Sequence, residues 1–521
     1  MSTEGHHHGG PDLPAWLVAR QIDRRTFLRV GAASGLAFVV AACGGDDETT
    51  VGTGGGTTAA AAEGTTAAEI AGATPAERAI AGLKALNLPA DTTITVFSED
   101  LTILAAETTK AKFEQESGLK LNIQKAPFLE YAGKVFNDAT TKAGTFDVVL
   151  METNRLGDLD NAGYLTDLSE WVAKYNPDLD DMIAPQSKVW SLYNGKTVGL
   201  PTDGDVFIFY YRKDLLENPE EATAFEAKYG RELAVPKTYD EYRDVLEFFT
   251  RPDEKLYGAV EWRVKGVTYF WFWQRLWSNG GTYFNDDMTP AINSEAGVKA
   301  LEDMKAMNAF MPENVLSFGY VEAVEAMSNG TAFSNITWPA AGKNVSDPAT
   351  SKTAGKWGFA TVPGYEVDGQ VNPKSMSAPG YSAIVSEHAK ANKEAAYLYA
   401  QWLVSKENLM AANTNPKGNT DIIRASIFDD PALPAALFEG SEEYIKAQKD
   451  NLAQAVPDPI MPGYTEYSQA LEIEISEFMT GNKSAKEALD AAASKWEEIT
   501  DGFDRDKQKE IWTAFQQAYG A

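Results

Sequence analysis

The sequence predicts an α/β protein built as two lobes. Three observations lead there. The chain has 521 residues, and a single hydrophobic core stops growing near ~250–300 residues. Strand and helix patterns alternate from residue 93 onward. The composition, 44% hydrophobic and 11% aromatic, is that of a globular chain.

Residues 93–97 (TITVF) alternate apolar and polar, as a strand does. Residues 101–116 carry apolar side chains at helical spacing, and Gly118 stops them. Residues 119–124 (LKLNIQ) alternate again, and 131–141 are helical. Residues 146–151 (FDVVLM) are almost continuously apolar, as a strand covered on both faces would be. Residues 156–162 are helical up to Gly163. This order means a parallel sheet with right-handed crossovers, and such sheets bind ligands beyond the carboxyl ends of their strands. Glu99 and Glu152 follow the first and third strands and are ligand-binding candidates; a solvated loop carboxylate would occupy the same positions. Further strands are expected at 196–200, 206–211, 357–362 and 382–385. Helices are expected at 239–250 behind a Thr238 cap, 294–307, 393–403, 467–479 and 485–500. No segment repeats.

The amino-terminal region reads as an address. Arg24-Arg25-Thr26-Phe27-Leu28-Arg29 precedes an apolar run, 30–42, too short for the ~30 Å hydrocarbon core of a membrane. A positive flank, a short apolar stretch and small residues make a secretory signal, and the paired arginines resemble the twin-arginine type. Val40-Ala41-Ala42-Cys43-Gly44 resembles a lipobox. That resemblance implies a signal over 1–42, a lipid on Cys43, and an exported protein anchored on the outer face of the cytoplasmic membrane. Residues 43–88 are expected to be a flexible tether, because their Gly, Thr and Ala bury too little surface to offset ordering. The triplet His6–His8 precedes the signal and receives no role.

Charge and composition narrow the function. With 46 Lys+Arg against 75 Asp+Glu, the net charge of −29 argues against nucleic acid as a partner. One cysteine excludes intramolecular disulfides and Cys-rich metal sites. Outside the triplet there is only His388, so a His-based metal site or a Ser–His pair would rest on one residue. No metal and no cofactor are expected.

Five segments together resemble the family 1 extracellular solute-binding proteins of ABC importers, the carbohydrate-binding group related to maltose-binding protein. They are Phe146-Asp147-Val148-Val149 with 159–168 (LDNAGYLTDL); 193–201 (YNGKTVGLP) with 209–216 (FYYRKDLL); 235–241 (VPKTYDE); 276–281 (LWSNGG); and 479–489 (MTGNKSAKEAL). Each is weak alone; five in the family's order, over most of residues 90–505, are specific. The resemblance implies a two-lobe periplasmic-binding-protein-like (type II) fold with a hinge and an interlobe cleft. The first lobe would be 89–203 with 355–404, and the second 204–354 with 405–521. Closure around ligand would be a hinge motion.

Sugars offer apolar ring faces and hydroxyls, so a sugar site needs aromatic planes and carboxylate acceptors. Asp203-Gly204-Asp205 lies where the first crossing begins, and either Asp203 or Asp205 is the candidate; Asp-Gly is also ordinary turn chemistry. Residues 269–277 (YFWFWQRLW) are mostly core by pattern, with one or two of Trp271, Phe272 and Trp273 expected at the cleft. Trp262 precedes them in a loop and is a further candidate. The family's Trp-Pro pair falls on Trp338, and its Gly-rich turn ending in an aromatic falls on Gly380 and Tyr381. Its loop ending in arginine falls on Arg424, which an ion pair would equally explain. Tyr464, after Pro462-Gly463, is a stacking candidate or a packed turn aromatic. Residues 218–233, longer than in compact relatives, would form a surface helix or narrow the cleft.

The function that follows is capture of a mono- to oligosaccharide and its delivery to ABC permease subunits, by a binding protein and not an enzyme. A receptor for a polyamine or another cationic solute is the alternative, since acidic and aromatic cages bind ammonium. An extracellular glycosidase using two carboxylates is the third reading.

Overall fold

A computed structural model describes residues 72–183 and 186–519. The expected signal, the Cys43 expected to carry a lipid and most of the expected tether lie outside the described residues. The segment expected to be a tether up to residue 88 contains a helix. Thr74 and Glu77 form a capping box for the helix Pro75–Ala85, whose Ala76, Ala79 and Leu83 are buried. That helix packs against Lys393–Leu403, so it belongs to the globular body.

Two sheets form the framework. The first has five strands in the order Lys120–Ala126, Thr93–Glu99, Val148–Glu152, Tyr381–Val385, Gly199–Asp203. Its first three strands are parallel, as the alternating pattern predicts. Tyr381–Val385 returns from far along the chain and lies antiparallel between Val148–Glu152 and Gly199–Asp203. Val148–Glu152 is buried at every position, which explains its unbroken apolar sequence.

The second sheet has four strands in the order Trp357–Ala360, Ile208–Arg212, Ala332–Thr337, Tyr257–Ala259. One apolar cluster is centred on the first sheet; another fills the second lobe between its sheet and helices such as Tyr239–Phe249, Tyr269–Ser278 and Tyr464–Met479. Residues 218–233 contain the helix Pro219–Tyr229, which buries only Phe225 and leaves its other side chains more open.

The expected lobe boundaries at 355 and 405 do not follow the strand pairing. Trp357–Ala360 pairs with Ile208–Arg212 and belongs to the second sheet. The helix Lys406–Asn413 packs on Leu104–Ser117 of the first lobe. The chain therefore crosses near 376–381 and again after 428. Ser375–Met376, where the chain begins to cross, pairs with Ala455–Val456.

Candidate functional site

At the end of Gly199–Asp203 the chain leaves the first sheet through Asp203-Gly204-Asp205. A Cβ on Gly204 would stand 2.1 Å from the Ile422 carbonyl oxygen, so this approach needs glycine. It brings Asp203, Asp205 and Asp421 together, with one oxygen of each within 4.8 Å of the others. Asp203 Oδ1 accepts the Asp421 N–H at 2.6 Å, and Asp205 Oδ2 accepts the Gly380 N–H at 3.1 Å. Asp203 Oδ2 and both oxygens of Asp421 have no hydrogen-bond partner among the described residues. Lys343 lies beside them, buried, and donates to the carbonyls of Asn413 (3.2 Å) and Thr420 (3.4 Å). Burial, reinforced by the neighbouring acids, lifts Asp203 and Asp205 well above the usual carboxylate range. Burial raises Asp421 to about 7 against the pull of Lys343, and burial lowers Lys343.

The strand ends of the first lobe supply the next layer. Glu99 turns its buried carboxylate onto its own loop, accepting from the backbone of Leu101 (2.8 Å) and Thr102, and burial raises its pKa. Glu152 Oε2 faces Arg155 Nε at 3.4 Å. The Glu152 N–H donates to the Tyr131 hydroxyl at 3.2 Å. Tyr381 is buried within the field of Tyr131, Glu99, Glu152 and Asp205.

The second lobe contributes aromatic planes. Trp262 is half-buried and meets Phe128 of the first lobe with ring centroids 6.1 Å apart. It also meets Trp338 (5.8 Å) and Tyr320 (6.4 Å), and its indole N–H has no partner among the described residues. Trp338 donates its indole N–H to the Ala378 carbonyl at 2.7 Å, tying this wall to a crossing segment.

A polar network links the lobes on one side. Asn154 Nδ2 donates to Asp458 Oδ2 (2.6 Å) and to the Tyr464 hydroxyl (2.9 Å); that hydroxyl donates to the same Asp458 oxygen (2.7 Å). Arg155 lies over the Tyr464 ring, 5.3 Å from its centroid, and donates to the Thr465 hydroxyl at 2.9 Å. Buried carboxyls with open acceptor positions, set near phenol and indole rings, can hold a polyhydroxylated or cationic solute.

Comparison with known proteins decides the family. Residues 97–410 match the model of the bacterial extracellular solute-binding proteins. The chain belongs to that family. A periplasmic-binding protein of Sinorhizobium fredii, named for an amino-acid ABC transporter, is 27% identical over 310 residues, 58% of this chain and 66% of that one. The galactooligosaccharide-binding protein of Bacillus subtilis is 23% identical over 397 residues, 74% of this chain and 83% of that one. Among solved structures, an ABC transporter solute-binding protein of Agrobacterium radiobacter in complex with ribitol superposes with a TM-score of 0.68 at 25% identity, covering 79% of this chain and all of that one. A maltose-bound protein of T. maritima gives 0.67 at 20% identity, covering 78% and 99%. The two-lobe α/β architecture of solute-binding proteins is therefore this chain's architecture, and the family consists of binding proteins, not enzymes.

In this solute-binding protein the two lobes bring together Glu99, Glu152, Asp203, Asp205, Trp262, Trp338, Gly380, Tyr381 and Tyr464. Gly380 is fixed twice: its φ is 57°, and a Cβ there would meet the Trp190 ring at 2.5 Å. The two tryptophan expectations fail, and for Arg424 the ion-pair reading holds. Trp271 is fully buried behind Trp262 and Trp338, and donates its N–H to the Ile336 carbonyl at 2.8 Å. Trp273 is fully buried among Tyr269 (4.6 Å) and Tyr283 (5.1 Å), and Phe272 is fully buried as well, so the segment 269–277 is core. Arg424 spends its donors on the carbonyls of Val404, Asp178 and Pro177 and on Asp181 Oδ2 (3.1 Å); it fastens the first lobe.

The sequence reading missed Asp421, Lys343, Tyr131, Arg155, Tyr320, Asn154 and Asp458. Asp421 stands three residues before Arg424, in the loop that was singled out for its arginine. Asn154 and Arg155 follow Glu152 at the same strand end. Histidine and cysteine counts bear on His- and Cys-based metal sites and not on an all-carboxylate group such as Asp203, Asp205 and Asp421.

Proposed function

We propose that this protein is the substrate-binding component of an ABC importer, and that it captures a carbohydrate between its lobes and delivers it to the permease subunits. The observation that carries this reading is the buried carboxyl cluster of Asp203, Asp205 and Asp421 near the aromatic wall of the second lobe: Tyr320 lies in the field of Asp421 and Asp205 and meets Trp262, which in turn meets Trp338. Carboxylates take hydroxyls and indole faces take the C–H faces of sugar rings. The galactooligosaccharide-binding relative and the ribitol-bound neighbour support it. Ligand touching both lobes stabilises the closed form, a population shift with no bond chemistry.

The twin-arginine signal and a lipid on Cys43 complete the proposal: they would hold the protein on the outer face of the membrane, beside its permease. No described helix is long and apolar enough to cross a membrane.

Thermal unfolding against a panel of mono- and oligosaccharides tests the reading. A ligand that binds only the folded state stabilises it by RT ln(1 + [L]/Kd), roughly 4 kcal/mol at a thousandfold excess over Kd. A rise with one sugar class supports the proposal and names the class. A rise with polyamines and none with any sugar overturns it.

A further inference from the structure

The floor of the cleft is more acidic than a neutral sugar requires. A hydroxyl needs one carboxylate oxygen and leaves the charge where it was. Asp203, Asp205 and Asp421 are 0%, 3% and 2% exposed, and the cation beside them is Lys343. Its ammonium is hydrogen-bonded to two carbonyls, not to Asp203 Oδ2 or Asp421. Ionising all three carboxyls beside one lysine would leave buried negative charge, a costly arrangement that burial and mutual repulsion answer by raising their pKa values; a bound cation would let them ionise.

A second observation points the same way. The acceptors without a partner among the described residues are Asp203 Oδ2 and both Asp421 oxygens, all buried, and they belong to the cluster in which one oxygen each of Asp203, Asp205 and Asp421 lies within 4.8 Å of the others. A primary ammonium carries three N–H donors and one positive charge. It satisfies three such acceptors and the charge at once. A hard metal ion fits less well. It asks for about 6–8 oxygens, whereas Asp203 Oδ1 and Asp205 Oδ2 already accept backbone N–H groups. The Lys343 ammonium also repels a dication more strongly than a monocation.

We propose that the ligand of this cleft bears a protonated amine seated on Asp203, Asp205 and Asp421, so that the solute is an amino sugar or an amine-bearing polyol. This rests on the carbohydrate reading above and narrows it.

Matched pairs test it by titration calorimetry on the full chain. The probes are glucosamine with glucose and N-acetylglucosamine, the β-1,4 glucosamine dimer with cellobiose and its di-N-acetyl form, glucamine with sorbitol, putrescine, and calcium or magnesium chloride alone. The expected result is that at least one amine binds tenfold or more tighter than its hydroxyl and N-acetyl partners. Asp421→Asn should erase most of that preference. The wild-type comparison stands even where this variant folds poorly. Neutral partners binding within threefold of their amines would overturn the amine seat and leave the carbohydrate reading intact. Binding of putrescine with no sugar or polyol bound would keep the amine seat and overturn the carbohydrate reading. Saturable binding of calcium or magnesium alone at this site, or no binding by any amine, would also overturn the amine seat.

Discussion

Asp158 and Thr465 belong to different lobes and are joined by two hydrogen bonds. Asp158 Oδ2 accepts both the Thr465 N–H (2.9 Å) and its hydroxyl (2.6 Å), while Oδ1 accepts the Gly463 N–H at 2.6 Å. The helix Tyr464–Met479 has Gly463 at its N-cap and no side-chain cap of its own. The first lobe therefore caps a helix of the second, and the cap exists only while this edge of the cleft is shut.

Removing that cap should favour opening. Loss of a capping side chain costs about 1 kcal/mol, a factor of about 5 in an equilibrium constant. Asp158→Ala should weaken ligand binding by about that factor and raise the radius of gyration of the ligand-free protein in small-angle scattering. Unchanged affinity and unchanged scattering would show that the contact does not hold the lobes together.

The two tryptophan classes should separate experimentally. Trp262→Ala removes a half-buried plane at the cleft, so ligand affinity should fall with little change in melting temperature. Trp273→Ala empties a fully buried site and should cost ~3–5 kcal/mol of stability. Denaturant midpoints beside ligand titrations give both readouts; the reverse pattern would contradict the assignment of Trp262 to the site.

A buried ion triad makes the second lobe sensitive to one carboxylate. Glu261 is fully buried and pairs with Arg263 and with Arg275 Nη2 (3.1 Å), both fully buried. Burial pushes Glu261 up, but the two guanidinium groups outweigh it and hold its pKa below the ordinary value. Glu261→Gln should leave the two arginines without their counter-charge, costing ~3–5 kcal/mol. A shift in the urea midpoint at constant slope measures it.

Stability should fall as pH rises toward neutrality. Glu472 is buried and accepts the N–H groups of Gly266 (2.8 Å) and Tyr269 (3.0 Å); burial raises its pKa to about 7. A carboxyl whose folded pKa exceeds its unfolded value holds its proton more tightly when folded, so its contribution is present at acid pH and is lost between pH 4.5 and about 7. Asp421 and Asp458, both raised to about 7 by burial, act in the same direction. The share is up to about 3 kcal/mol for Glu472 and about 4 kcal/mol for each aspartate. Melting temperatures from pH 5 to 8 should fall for the wild type and fall less for Glu472→Gln. Parallel curves would rule Glu472 out as a source.

Much of the fold was readable from local pattern, because strands such as Val148–Glu152 announce burial in their own residues. The crossings were not readable. Whether Trp357–Ala360 belongs to the first or second sheet depends on a partner, Ile208–Arg212, that no local pattern names. Within the site, Asp203 and Asp205 were legible from Asp-Gly-Asp at a strand end. Asp421 was not, because it joins them only through the close approach that Gly204 permits. Trp271 and Trp273 misled for the opposite reason: an aromatic run on a helix states size and apolarity, and only packing decides which ring meets solvent or ligand.

The insertion of Tyr381–Val385 between Val148–Glu152 and Gly199–Asp203 has a consequence for synthesis. All four strands of the second sheet lie between Gly199–Asp203 and Tyr381–Val385 in the chain. While they leave the ribosome, the first sheet lacks its fourth strand, so Val148–Glu152 and Gly199–Asp203 each wait with an edge unpaired. The second lobe in turn waits for Tyr464–Met479 and the helices after it. Neither half can mature ahead of the other as the chain emerges, so the nascent protein must tolerate open strand edges until its last quarter is made.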